Sequence, residues 1–289
     1  MHKAKWWTPY LFLLPVIIGL VVFRLVPIGT SIVESLFDVN PRGVRTFAGL
    51  QNYVDLFGSA TFWSSFRTTV LFNVVANSLQ ICLAFSLALL VFRPTRGIGI
   101  FRTAFFLPIS ISIAMASLLW MVMLDPNLGV VNVLLKEVGL DAQPFFRSPN
   151  QALWSMIWIV TWKYTGFWML FLLAGLCDIP RELYEAAQID GASWWGSFRR
   201  VTLPLMKRPL AFVLVLVTSV NFLQFAPVYL ITKGGPMRST NLLMYTAYDA
   251  AFLRLDQNRA MTTSTVVLLI IALFTIVGLR LLDSKETIR

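Results

Sequence analysis

Residues 9–31 read PYLFLLPVIIGLVVFRLVPIGTS, an apolar run in which Arg24 is the only charged residue. About 20 apolar residues in a helix cross the ~30 Å hydrocarbon core of a membrane. The run is too long for the apolar region of a cleaved signal peptide. It therefore predicts a helix that spans a membrane and is retained in the mature protein.

The chain as a whole is also rich in apolar residues. Of its 289 residues, 57% are hydrophobic and 13% are charged, against about 45–50% and about 25% in ordinary soluble domains. We therefore predict an all-α integral membrane protein with one domain over residues 1–289. Its six transmembrane helices are predicted at about 9–31, 66–92, 103–124, 153–176, 209–231 and 261–281.

The distribution of cations predicts the topology. The formal net charge of +10 could indicate nucleic-acid binding, but the cations lie mainly in short segments between apolar runs. Segments 1–8, 93–102, 177–208 and 280–289 hold thirteen Lys and Arg residues in about 60, whereas 32–65, 125–152 and 232–260 hold eight in about 90. Cytoplasmic loops carry the excess of cations. We therefore expect both termini in the cytoplasm and no nucleic-acid partner.

Residues for metal or acid–base chemistry are scarce. Cys82 and Cys177 are far apart and the one histidine is His2, so the usual ligands of zinc and the groups of an intramembrane protease are missing. No acidic residue lies deep in a predicted span, which disfavours a proton-coupled or sodium-coupled transporter. A G-x-x-x-x-G-K-[ST] phosphate loop is also absent. We expect a protein that is not an enzyme and binds no cofactor itself.

The long cytoplasmic loop, residues 177–208, carries the most specific pattern. It contains Glu185-Ala186-Ala187, then Gly191 after three further residues, and then Leu203-Pro204. Gly191 permits a sharp turn, so the loop is predicted to form two short helices that meet at an angle.

This spacing resembles the EAA loop of ABC importer permeases, in which EAA is followed by three residues, a glycine, nine residues, a hydrophobic residue, any residue and LP. Val201 occupies the hydrophobic position, where the family usually has isoleucine. The resemblance implies the type I importer permease fold, in a bacterial inner membrane. It also implies that the loop docks on an ATPase, with the coupling residues Glu185, Ala186, Ala187, Asp190, Gly191, Leu203 and Pro204.

Other segments are similar to sugar-type permeases for maltose, oligosaccharides and glycerol-3-phosphate, and in particular to the first permease subunit of such heterodimers. These segments are Phe47–Tyr53, Phe101–Pro108, Trp162–Phe167 and Thr232–Pro236. The resemblance implies a homologous partner permease, two cytoplasmic ATPase subunits that bind ATP and magnesium, and an extracytoplasmic solute-binding protein. It implies import of a sugar, an oligosaccharide or a sugar-like polyol or phosphate by alternating access. A permease for a non-sugar solute is the alternative.

Polar groups at membrane depth are candidate transport residues because their burial is costly. Lys163 lies in the fourth predicted span, and Asn221 and Gln224 are predicted to share one face of the fifth. Alignment with the maltose-type pattern implies a solute pathway lined by Val160, Lys163, Tyr164, Phe167, Asn221 and Gln224.

Each polar candidate also has a structural interpretation. Lys163 could be a cation paired with a backbone carbonyl, and Asn221 and Gln224 could form hydrogen bonds between helices. Asn73 and Asn77, at i and i+4 in the second span, are better explained by packing.

Overall fold

The computed structural model describes residues 8–40, 43–92 and 95–283, with side chains for 10–40, 43–92 and 95–280. His2 and the cations Lys3, Lys5, Arg42, Arg93, Lys285 and Arg289 lie outside the described residues, as do both chain termini.

Helices dominate the described part of the chain. In chain order they are α1 (Tyr10–Glu34), α2 (Gln51–Phe57), α3 (Ala60–Phe92), α4 (Ile98–Phe106), α5 (Ile113–Met123), α6 (Val130–Glu137), α7 (Ala152–Cys177), α8 (Arg181–Ile189), α9 (Trp194–Ser197), α10 (Lys207–Phe222), α11 (Leu243–Tyr248) and α12 (Gln257–Asp283). Shorter π-helical and 3₁₀ turns extend several of them, at Val21–Leu25 inside α1 and at Leu107–Ser110, Phe145–Arg147, Phe198–Thr202, Val228–Thr232 and Asp249–Leu253. The strands β1 (Phe37–Val39) and β2 (Arg45–Phe47) form an antiparallel hairpin.

Four of these helices, α1, α3, α7 and α12, are long and apolar enough to cross a membrane alone. They correspond to the predicted spans 9–31, 66–92, 153–176 and 261–281. Two bent pairs of helices, Ile98–Ser110 with Ile113–Met123 and Trp194–Leu205 with Lys207–Phe222, raise the number of candidate spans to six if each pair crosses once.

The predicted third span, 103–124, is interrupted by a bend and is not one straight helix. The chain bends by 98° between Ser110 and Ile113. Pro108 lies in a 3₁₀ turn, and Ile111 adopts an extended conformation. The Ser112 hydroxyl then accepts a hydrogen bond from the backbone N–H of Met115, at 3.2 Å, and so begins α5. We call the segment Leu107–Ser112 the elbow.

The predicted fifth span, 209–231, is also interrupted. α10 begins at Lys207 after a 58° bend and ends at Phe222. Leu223, Gln224 and Phe225 are not helical. Asn221 and Gln224 therefore do not share a helix face, because only Asn221 belongs to α10.

By their internal contacts the residues divide into two compact units, 1–63 with 246–268 and 64–245 with 269–289. In the first unit, the hydroxyls of Ser35 and Tyr53 lie 2.6 Å apart, and Thr265 donates to the backbone oxygen of Ser31 at 3.5 Å. In the second unit, α3, α7 and α10 pack around a buried apolar cluster that includes Ala84, Leu172 and Val217. That the chain is a single domain stays a prediction.

Candidate functional site

The loop at residues 177–208, which we call the EAA segment, forms the predicted pair of short helices. α8 begins after Pro180, which supplies no backbone N–H, and ends before Gly191, whose φ of +73° is the left-handed conformation that glycine adopts most readily. The Ser193 hydroxyl accepts a hydrogen bond from the Gly196 N–H, at 3.3 Å, and so begins α9. The turn between the helices is therefore encoded locally.

The EAA segment presents a mixed polar and apolar surface. Glu185, Ala186 and Asp190 are exposed, Ala187 is half-buried, and Ile189 is 87% exposed. Leu203 and Pro204 lie on the exposed side of the helical turn that follows α9. Exposed apolar side chains rimmed by polar ones are typical of interaction sites, so this surface is a candidate docking site.

The EAA segment is also tied to itself. The hydroxyls of Tyr184 on α8 and Thr202 after α9 lie 3.0 Å apart. Phe198, directly after α9, contacts the rings of Trp194 and Trp195 on α9, at centroid distances of 5.7 and 5.3 Å. The contact between Tyr184 and Thr202 therefore links α8 to the turn after α9, and the aromatic cluster stabilises α9 itself.

Lys163 occupies the inner side of the elbow. Its side chain is only 4% exposed, and Nζ donates hydrogen bonds to the backbone oxygens of Pro108, at 3.4 Å, Ile109, at 3.2 Å, and Ile111. The Pro108 oxygen also accepts a long backbone hydrogen bond from the Ile111 N–H, at 3.4 Å, so Lys163 adds donors where the bend weakens the helical hydrogen bonding. An ammonium group has three donors, and all three are engaged here, so the geometry favours the interpretation of Lys163 as a structural cation.

Lys163→Met should therefore destabilise the subunit, because the backbone oxygens of Pro108, Ile109 and Ile111 would each lose the charged donor. Hydrogen bonds to charged groups contribute about 1.5–3 kcal/mol each, and we expect a net loss of about 2–3 kcal/mol after the neighbouring groups adjust. The thermal midpoint of the detergent-purified subunit measures it. A midpoint equal to that of the wild type would contradict the structural role, and Lys163→Arg is the matched variant that keeps the charge.

The other pathway residues of α7 differ in accessibility. Val160 is fully buried and faces the packed interior, whereas Tyr164 and Phe167 are half-buried. The hydroxyl of Tyr164 lies close to the side chain of Gln224, which places α7 beside the break after α10. Phe167 packs edge-on against Trp168 and Phe171.

Asn221 joins a buried amide network that links α3, α7 and α10. Its Nδ2 donates to Asn77 Oδ1 at 2.7 Å and lies 3.5 Å from Gln80 Oε1. Thr218 and Trp168 complete the network, through Asn77 and Gln80 respectively. The structure therefore brings Asn221 together with Asn77, as the interpretation of interhelical bonding predicts.

The sequence analysis missed Gln80, Thr218 and Trp168. Gln80 follows Asn73 and Asn77 at a spacing of seven and three residues, and this places all three amides on one helix face. That periodicity was the available signal. By contrast, Asn73 donates within its own helix, to the backbone oxygen of Thr69 at 3.0 Å.

The sequence matches one protein family and is similar to several bacterial permeases. The family described as "Binding-protein-dependent transport system inner membrane component" matches residues 80–286. The sn-glycerol-3-phosphate transport system permease protein UgpA of Salmonella typhimurium is 33% identical over 282 residues, which is 96% of this chain and 95% of that protein. The UgpA proteins of Escherichia coli strain UTI89 and Yersinia pestis Antiqua cover the same shares at 33% and 31% identity.

Two solved structures share the fold. One is a bacterial ABC transporter involved in the import of the acidic polysaccharide alginate, with a TM-score of 0.83, 24% identity and 96% of each chain covered. The other is a bacterial alginate ABC transporter in complex with an alginate pentasaccharide-bound periplasmic protein, with a TM-score of 0.80, 24% identity and coverage of 94% of this chain and 92% of that chain. The predicted importer permease fold is thereby confirmed.

The family match covers more than two thirds of the chain, and the UgpA relatives align with nearly all of it. Members of the family are inner-membrane components of transport systems. This protein therefore belongs to the inner-membrane components of binding-protein-dependent transport systems, the permease subunits of bacterial ABC importers.

Proposed function

We propose that this permease imports a polyhydroxylated solute, a sugar or a sugar-like polyol phosphate, by alternating access. The observation that carries the solute class is the 33% identity to UgpA over 96% of this chain and 95% of that protein. The chemistry of the candidate pathway agrees with it. Amides such as Asn221 and Gln224 offer donors and acceptors together, which suits hydroxyl groups better than a purely apolar solute.

The proposed assembly contains a second, homologous permease, two ATPase subunits and an extracytoplasmic solute-binding protein. Magnesium and ATP bind to the ATPases, and this chain needs no cofactor of its own. The exposed EAA segment supplies the ATPase contact: Glu185 offers a carboxylate, Ala186 and Ala187 allow close approach, and Ile189 offers an apolar anchor. Coupling then requires that ATP, solute and binding protein each favour one of two states of the permease.

In the proposed topology both termini and 177–208 face the cytoplasm. Single cysteines at two exposed positions, Ile189→Cys and Met237→Cys, test it in a background lacking Cys82 and Cys177. We expect an impermeant maleimide applied to intact spheroplasts to label position 237 and not position 189. Labelling of position 189 alone would reverse the orientation.

Transport itself tests the proposed solute. The chain is co-expressed with its genomic neighbours in a host that lacks its own uptake systems, and accumulation of sn-glycerol 3-phosphate, maltose and glutamine is measured. We expect one of the two hydroxylated compounds to accumulate and glutamine to be excluded. Accumulation of glutamine alone would favour the alternative of a non-sugar importer.

In the same assay Asn221→Leu should lower accumulation about tenfold while ATP hydrolysis without solute continues. Stranding one solute hydroxyl in a dry site costs about 1–3 kcal/mol. Loss of the assembled complex in this variant would instead support a purely interhelical role for Asn221.

A further inference from the structure

The residues at the two ends of the amide network, Thr218 and Trp168, determine which atom donates in each of its hydrogen bonds. At one end, the Thr218 hydroxyl donates to the backbone oxygen of Leu214 at 2.7 Å. Thr218 therefore accepts from Asn77 Nδ2, at 2.9 Å, which turns Asn77 Oδ1 toward Asn221. Asn221 must then present Nδ2 to Asn77, at 2.7 Å, so its Oδ1 is left over as an acceptor.

The other end of the network is determined in the same way. The indole N–H of Trp168 can only donate, and it donates to Gln80 Oε1 at 3.2 Å. The Gln80 amide cannot be reversed without placing two donors against each other. Its Nε2 is therefore left over as a donor.

Both leftover atoms are fully buried. Asn221 is 0% and Gln80 is 1% exposed, and neither Asn221 Oδ1 nor Gln80 Nε2 has a hydrogen-bond partner among the residues that the structure describes. Buried polar atoms are nearly always paired, so an acceptor and a donor left open on neighbouring side chains require an explanation. A hydroxyl group satisfies both, since it donates one hydrogen bond and accepts another.

We propose that Gln80 and Asn221 together bind one hydroxyl group of the transported solute, with Gln80 as a further determinant of solute specificity. This inference rests on the proposed function. The contact between Asn221 Nδ2 and Gln80 Oε1, at 3.5 Å, is the longest in the network, and hydrogen bonds weaken at such distances. A shift between α3 and α10 therefore opens the network at this contact first, and the solute hydroxyl enters between the two amides.

Asn77 and Thr218 have a different role in this arrangement. Neither residue bonds to Asn221 Oδ1 or to Gln80 Nε2. Together they hold the Asn221 amide in the orientation that leaves Oδ1 without a partner. We regard them as positioning residues for Asn221.

The test compares solutes that differ by one hydroxyl. Uptake of sn-glycerol 3-phosphate is measured against its two deoxy analogues, propane-1,2-diol 1-phosphate and propane-1,3-diol phosphate, in the complete importer. We expect the wild type to discriminate against one analogue by about tenfold or more, because a site built to bond a hydroxyl rejects a compound that lacks it. Gln80→Met should reduce the ratio of uptake rates, sn-glycerol 3-phosphate over the rejected analogue, to within about threefold. The main cause should be slower uptake of sn-glycerol 3-phosphate.

Asn73→Leu is the matched control, since it removes from the same helix face a buried amide that lies outside the network and whose Oδ1 also has no partner among the described residues. It should keep the wild-type ratio. If Gln80→Met is not recovered in the membrane, Gln80→Asn replaces it, because it keeps an amide but withdraws it from Asn221 by one methylene. The same loss of discrimination is expected.

The possible outcomes separate the two proposals. An unchanged ratio in Gln80→Met, at wild-type abundance, overturns the role of Gln80 and leaves the proposed function intact. Equal loss of discrimination in Asn73→Leu also overturns it, because the effect would then belong to α3 packing in general. If the wild-type importer carries none of the three phosphates, sn-glycerol 3-phosphate is not its solute, and the inference fails as well.

Discussion

Gly166→Ala is expected to leave little folded subunit in the membrane. A Cβ atom at Gly166 on α7 would lie 1.8 Å from the backbone oxygen of Phe105 and 2.5 Å from its carbonyl carbon. Backbone atoms cannot rotate away, so α4 and α7 would have to separate and draw the elbow away from Lys163. We expect a loss of about 3 kcal/mol, at the upper end of the usual cost of overpacking.

Gly99→Ala is the matched control, because Gly99 lies on α4 with no atom within 4 Å of the added Cβ. It should be neutral or stabilise α4 by up to about 1 kcal/mol, since alanine favours a helix more than glycine does. Yield from membranes and the thermal midpoint in detergent measure both variants. Equal midpoints for Gly166→Ala and Gly99→Ala would show that α4 and α7 are not in backbone contact.

Gly191→Pro is expected to abolish coupled transport while the protein still inserts. Proline holds φ near −65°, whereas Gly191 requires +73°. Proline also lacks the N–H that Gly191 donates to the backbone oxygen of Gln188, at 3.0 Å. The angle between α8 and α9 would change, so we expect solute uptake and solute-stimulated ATP hydrolysis to fall by at least about tenfold.

The comparison variant for this position is Gly191→Asn. Asparagine tolerates the left-handed conformation, and no atom lies within 4 Å of an added Cβ, so most of the activity should remain. Glu185→Lys, which reverses an exposed charge without changing the turn, should uncouple transport as Gly191→Pro does. Full transport by Gly191→Pro at normal abundance would remove the coupling role from this loop.

The sequence predicts the structural features that depend on a few neighbouring residues. Apolar runs locate α1, α3, α7 and α12 to within a few residues, and Gly191 marks the turn of the EAA segment, because run length and a left-handed glycine act over a few residues. The elbow shows the limit. Pro108 is visible as a possible break, but the group that stabilises the freed carbonyls is Lys163, more than 50 residues later in the chain.

The candidate pathway shows the same limit. Helical periodicity places Asn221 and Gln224 on one face, but α10 ends at Phe222, and Gln224 lies beyond that end, close to Tyr164 of another helix. Gln80 has the spacing of a network residue, yet only the three-dimensional structure shows that Trp168 lies within reach of its amide. Contacts between helices, rather than properties of one helix, decide these positions.

The break at Leu223–Phe225 bears on how solute preference can diverge among relatives. In a continuous helix, inserting or deleting one residue rotates everything beyond it by about 100°, because a turn holds 3.6 residues. Irregular segments absorb such changes locally. A length change at residues 223–225 could therefore re-aim the amide of Gln224 while Asn221 keeps its place in α10. Evolution can thus alter one side of the pathway through a single codon gained or lost, without repacking the other.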